Sequence, residues 1–183
     1  MREIVDKDRV DRFMQEVGRA ARRHVRIYLV GGTTAVLFGW RATTIDLDLV
    51  MRPEDETILR AILSLKETLH LNVELASPAD FIPVPEGWEG RSTYITTVGK
   101  VSFYHYDLYA QAVAKVERGH QQDLADVQEM LSRGLIDAAK AREYFDRLAP
   151  ELYRFPSIHA PSFREAVEEV FGAADNADER GYE

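Results

Sequence analysis

Asp46 and Asp48 are the residues of this chain whose type and spacing point most directly to chemistry. They sit in Thr43-Thr44-Ile45-Asp46-Leu47-Asp48-Leu49-Val50-Met51, where Ile45, Leu47 and Leu49 alternate with the two aspartates. Alternation with period two is a strand with one face in the core, and it sends both carboxylates to the other face. Like charges held that close repel unless a cation neutralises them. Hard oxygen donors on one strand face suit Mg²⁺ or Mn²⁺, above all where phosphate oxygens complete the shell. Taken alone, an Asp-x-Asp is more often a solvated strand face, so its surroundings decide.

Those surroundings are informative. Arg26-Ile27-Tyr28-Leu29-Val30 reads as a short buried strand that stops on Gly31-Gly32. Thr33 to Phe38 then reads as a short helix, capped by Thr33 after the two glycines and closed by Gly39. Glycines let a phosphate approach the backbone where a side chain would block it. The free N–H groups expected around Thr33 and Thr34 favour anionic oxygens.

Other elements must hold these in place. Val10, Phe13, Met14 and Val17 are spaced as one face of a helix over about 7–23, and Ile58, Leu59, Ile62, Leu63 and Leu65 as one face of a helix opened by Pro53. Leu71–Leu75, Ser92–Val98 and Val101–Tyr106 read as strands around a Pro- and Gly-rich stretch. Asp107 is placed to cap a helix that Gly119 ends, and helices follow at 121–133, 137–148 and 162–170. The order gives an α/β (α+β) front end, a mixed sheet flanked by helices, with a helical C-terminal extension. The expected organisation is a domain at 1–134, its helical extension at 135–171, and a disordered tail at 172–183.

Composition narrows the function classes. With 31 acidic and 23 basic residues among 183, the net charge of -8 argues against coating nucleic acid by bulk electrostatics. Arg19, Arg22, Arg23, His24 and Arg26 form a local basic cluster, read first as the solvated end of a helix. There is no cysteine, which excludes disulfides, thiolate metal ligands and cysteine nucleophiles. The five histidines lack metal-ligand spacing. No apolar run approaches a membrane span and the N-terminus lacks a signal-peptide stretch, so a cytoplasmic protein with no membrane partner is expected. Tyr104 and Tyr106 read as packing residues before base-stacking ones, and Arg41 after Trp40 is a candidate phosphate contact.

Val30-Gly31-Gly32, thirteen intervening residues, then Asp46-Leu47-Asp48 resembles the defining motif of the DNA polymerase β-like nucleotidyltransferase superfamily. That resemblance implies the superfamily's nucleotidyltransferase fold and nucleotidyl transfer from a nucleoside triphosphate to a hydroxyl, with Mg²⁺ or Mn²⁺ on Asp46 and Asp48. It also implies a third carboxylate from a later strand; Glu74 in Val73-Glu74-Leu75 matches best, and Asp80 in Ala79-Asp80-Phe81 is the rival. Gly31, Gly32 and Thr33 would lie at the phosphates. Lys115-Val-Glu-Arg118, followed by Asp123-Leu-Ala-Asp126, looks like the corresponding segment of the AbiEii-type branch, which includes nucleotidyltransferase toxins. In that comparison Lys115 contacts nucleotide phosphates and Asp123 orients Lys115 or Arg118; an arginine common before the aspartate there is replaced by Gly119-His120-Gln121-Gln122. Replacing such a phosphate-gripping Lys115 should shift the melting temperature little. The implied acceptor is a tRNA 3′ end or a partner toxin or antitoxin protein. The alternative is a nucleotide-binding regulatory protein that keeps the fold without turnover.

Overall fold

The structure, a computed structural model, describes residues 3–172; the disorder expected of the tail falls, from 173 on, outside the described residues. Contacts divide the chain into two compact units, one of residues 1–77 and 91–106, the other of 78–90 and 107–183.

The first unit carries the sheet. Its elements are β1 (Val5–Asp6), α1 (Lys7–Ala20), β2 (Val25–Val30), α2 (Gly32–Phe38), β3 (Thr43–Thr44), β4 (Asp46–Arg52), α3 (Glu56–Thr68), β5 (Asn72–Leu75), β6 (Thr93–Val98) and β7 (Val101–His105). Five strands form a mixed sheet in the order β5-β4-β2-β7-β6, while β1 and β3 pair separately. β4 runs antiparallel to β2 and parallel to β5, and β2 runs parallel to β7. A parallel neighbour needs a crossover, and α3 supplies it between β4 and β5.

The period-two pattern sets which side chains are buried. Leu47, Leu49 and Met51 of β4 join Ile27 and Leu29 of β2, Val101 and Phe103 of β7 and Val73 of β5 in one core. Val10, Phe13, Met14 and Val17 of α1 and Ile58, Ile62 and Leu65 of α3 close it. Each such buried side chain contributes roughly 1.5–3 kcal/mol, so the strand register is strongly specified. α1 comes unusually close to the β6–β7 turn: a Cβ on Gly18 would overlap the Val98 side chain, so only glycine fits there. α3 starts later than its proline suggested, because Asp55 rather than Pro53 sets the start by accepting from Ile58 N at 3.0 Å.

The second unit is helical. After the turn Pro78–Asp80 and the short α4 (Trp88–Arg91) come α5 (Leu108–Arg118), α6 (Gln121–Ser132), α7 (Ala138–Leu148) and α8 (Ala160–Val167). α5 is the central element, packed by α6, α7 and α8 and buried at eight of its eleven positions. Asp107 caps it as the sequence suggests, accepting from Tyr109 N at 3.1 Å, and Gly119 ends it at φ 69°. Tyr144 Oη donates to the other Asp107 oxygen at 3.2 Å, which ties α7 to the same cap. No helix among the described residues is long and apolar enough to cross a membrane.

Candidate active site

Leu47 and Leu49 are sealed in the core, so Asp46 and Asp48 emerge on the opposite sheet face, half-buried. The parallel pairing of β4 with β5 sets Asp46 beside Asn72 and Asp48 beside Glu74. Strands lie about 4.8 Å apart, so these four side chains form one patch two strands wide. Asn72 Nδ2 donates to Asp46 Oδ1 at 2.5 Å and to Glu74 Oε1 at 3.2 Å. One amide therefore bridges two carboxylates that would otherwise repel. Asp80 lies instead in the turn Pro78–Asp80, outside any strand and in the helical unit.

The Gly31-Gly32 turn overhangs this patch. Gly31 has φ 66°, a backbone conformation L side chains rarely adopt, and a Cβ there would sit 3.5 Å from Asp48 Oδ2. Gly32 is required for another reason: a Cβ would run into the Thr44 hydroxyl and lie 3.2 Å from Arg41 Nη1. The second glycine thus lets β3 close on the turn. Thr33 is not the cap of α2, since Gly31 holds that position, and its hydroxyl is buried with no hydrogen-bond partner among the described residues. Thr34 is turned into the core, donating to Leu29 O at 3.3 Å.

In the helical unit, Lys115 is buried rather than presented to solvent. Its Nζ lies 2.8 Å from Asp126 Oδ2 and 3.2 Å from Asp123 Oδ1, and the three side chains are 9%, 0% and 5% exposed. Asp123 also faces Arg118 Nε at 3.2 Å; Arg118 is 45% exposed and its guanidinium lies 6.0 Å from the centre of the Phe81 ring. The four charges compensate one another across α5 and α6, as buried charges must. A little-changed melting temperature on loss of Lys115 is not what this burial implies.

Residues 8–154, more than half of the chain, match a family described as "Nucleotidyltransferase of unknown function (DUF6036)". The chain belongs to that family. No curated protein and no solved structure matches it. Membership makes the nucleotidyltransferase superfamily the setting for both clusters, and the α+β architecture agrees with it.

The donor chemistry at Asp46, Asp48 and Glu74 fits a hard divalent cation, being oxygen only and acidic. No group of three or more His, Asp or Glu side chains able to hold a metal by themselves occurs among the described residues. Mg²⁺ does not require one, because it is commonly held by one or two carboxylates plus substrate phosphates and water.

Three residues gain from the structure a place that the sequence did not assign them. Asn72 stands two positions before Glu74, so strand periodicity places it on the same face, but its partner Asp46 became visible only through strand pairing. Asp126 is fully buried and is the nearer of the two anions to Lys115. His105 ends β7, with Nδ1 3.1 Å from Thr34 Oγ1, and burial lowers its pKa to about 4. The basic cluster is structural where partners are seen: Arg23 Nε pairs with Asp55 at 2.6 Å and Arg19 with Glu16 at 3.0 Å. Tyr104 and Tyr106 both pack on Tyr28, at ring-centre distances of 5.2 and 6.5 Å.

Proposed function

We propose that the chain transfers a nucleotidyl group from a nucleoside triphosphate to a hydroxyl, with Asp46, Asp48 and Glu74 as the carboxylates that hold Mg²⁺ or Mn²⁺. The observation that carries this reading is the β4–β5 register, which sets Glu74 beside Asp48 and Asp46 beside Asn72, with the Gly31 turn over Asp48. When bound, the divalent ion supplies charge neutralisation of the phosphates and activation of the attacking hydroxyl.

The protein's own part is placement. The glycine turn lets the triphosphate lie close to the backbone. Asn72 holds Asp46 and Glu74 in one orientation before substrate arrives, so less ordering is left to the reaction. Within the helical unit, Lys115, Asp123 and Arg118 form a charge network of their own. Lys115 neutralises Asp123, which also faces the Arg118 guanidinium.

For the acceptor we favour an RNA 3′ end, with a partner protein of a toxin–antitoxin pair second. The first rests on the resemblance of Lys115 to Asp126 to the AbiEii-type segment, and the second would fit antitoxin-like minimal nucleotidyltransferases. The alternative, nucleotide binding without turnover, shares the site and differs only in the outcome of catalysis.

Metal linkage tests the site. A ligand that binds only the folded state stabilises it by RT ln(1 + [L]/Kd), about 2.7 kcal/mol at a hundredfold excess over Kd. Thermal unfolding is measured with nucleoside triphosphate, with Mg²⁺ and with both. A shift with both that exceeds the sum of the separate shifts, and that vanishes in Asp48→Asn, supports the site. An equal shift in the presence of EDTA would contradict it.

A further inference from the structure

The opposite face of the sheet carries a second opening. A cleft of about 490 Å³ lies between α1, the end of α2 and the edge strand β6. Its walls include Met14, Leu37, Phe38 and Ile95, with Gln15 and Thr96 as polar groups and His105 among its lining residues. His105 belongs to the buried set of β7, with Val101 and Phe103, whereas Asp46 and Asp48 lie on the other face of β4. The cleft is therefore separate from the carboxylate patch, and its volume falls in the range of roughly 300–1,000 Å³ typical of small-molecule sites.

The hydrogen-bond chain behind His105 settles what the cleft offers. Thr34 Oγ1 lies 3.3 Å from Leu29 O, to which its one hydroxyl proton can be given. With the proton placed there, Thr34 Oγ1 accepts from His105 Nδ1 at 3.1 Å, and we assign the ring proton to Nδ1. Nε2 is left as an acceptor lone pair. Burial keeps the ring neutral at ordinary pH, with its pKa down to about 4. Phe38 stacks on the imidazole at 4.3 Å between centres and in turn stacks on Trp40 at 5.5 Å, so the imidazole is held in place by a ring of the wall. The charged groups in the lining, Lys7 and Asp11, neutralise each other at 2.7 Å.

We propose that this cleft is a binding site for a neutral planar aromatic molecule bearing one N–H or O–H donor, which donates to His105 Nε2 while its ring lies against the apolar walls. A planar apolar ligand without a donor would leave the imidazole acceptor unpaired.

Indole and benzofuran are suitable probes, equal in shape and differing in the N–H. Each is titrated into the ¹⁵N-labelled protein and followed by amide and imidazole shifts. Indole is expected to move His105, Thr34, Met14 and Phe38, and to bind about three- to tenfold more tightly than benzofuran, the worth of one net hydrogen bond. His105→Phe should abolish that preference. Thr96→Trp, which fills the cleft from the edge strand and leaves His105 intact, should lower indole affinity at least tenfold with the melting temperature retained. Equal affinities in the parent, shifts lying elsewhere, indifference to Thr96→Trp, or no binding up to the solubility limit of indole would each overturn the proposal.

Discussion

Replacing Lys115 by methionine separates a buried ion network from an exposed phosphate contact. The perturbation removes one charge and keeps most of the side-chain volume, so little of the effect comes from a cavity. Were the pair on the surface, its loss would cost about 0–1 kcal/mol. Lys115 is instead 9% exposed, 2.8 Å from an Asp126 that is wholly buried and 3.2 Å from an Asp123 that is 5% exposed. Its loss strands carboxylates in a desolvated site, a change that costs about 3–5 kcal/mol. With a urea slope of about 1–3 kcal/mol/M, the unfolding midpoint should fall by about 2 M, or the helical unit should fail to fold. Asp126→Asn in the same chain removes one of the stranded charges. The double variant should therefore lose less than the two single changes together, by about 1–3 kcal/mol. Urea unfolding followed by circular dichroism measures all four proteins. A Lys115→Met midpoint close to the parent's, with additive single changes, would refute the reasoning and return Lys115 to solvent.

Other perturbations have equally definite outcomes. Asp48→Asn should abolish nucleotidyl transfer while leaving urea stability within about 0.5 kcal/mol of the parent or above it, because one of two like charges on the strand face is removed. Asn72→Ala should destabilise the metal-free protein by about 1 kcal/mol, chiefly through the part-buried bond to Asp46, and added Mg²⁺ should then stabilise the variant more than the parent; identical Mg²⁺ responses would remove the amide from the site. His105 has a folded-state pKa near 4 against an unfolded value near 6.5, so the unfolded chain binds the extra proton between those limits. Its contribution is complete above pH 6.5 and is lost as pH falls toward 4, about 2 kcal/mol by pH 5; urea curves at several pH values should show this slope in the parent and not in His105→Gln.

The local pattern was legible where a single strand or helix carries it. The alternation through Asp46-Leu47-Asp48-Leu49 placed both aspartates on the side away from the core, whereas Ile45, read with the core-facing set, precedes β4 and is 54% exposed. The caps at Asp107 and Gly119 fell where turn chemistry put them. What was hidden depends on partners distant in sequence. The bridge from Asn72 to Asp46 needs β5 to pair in parallel with β4, which no local period encodes. Gly32 looked like room for a phosphate, yet its nearest neighbour is Thr44 of β3. From the resemblance, Lys115 reads as the phosphate contact, with Asp123 orienting it or Arg118. Only the packing of α6 on α5 buries Lys115 and leaves Arg118 half-exposed, because Asp123 and Asp126 reach back across two helices to meet the lysine. His105 carried no spacing signal at all; its role comes from burial at a strand end beside α2.

The central claim is nucleotidyl transfer at the carboxylate patch, and the fate of labelled phosphorus tests it most directly. The parent and Asp48→Asn are incubated with Mg²⁺, total tRNA or a candidate partner protein, and each nucleoside triphosphate labelled at either the α- or the γ-phosphorus. Transfer of a nucleotidyl group keeps the α label on the acceptor and releases the γ label in pyrophosphate. The expected result is acceptor labelling from at least one α-labelled nucleotide by the parent, none from its γ-labelled form, and none from either by Asp48→Asn. Acceptor labelling from the γ position, or α labelling that persists undiminished in Asp48→Asn, would contradict the assignment.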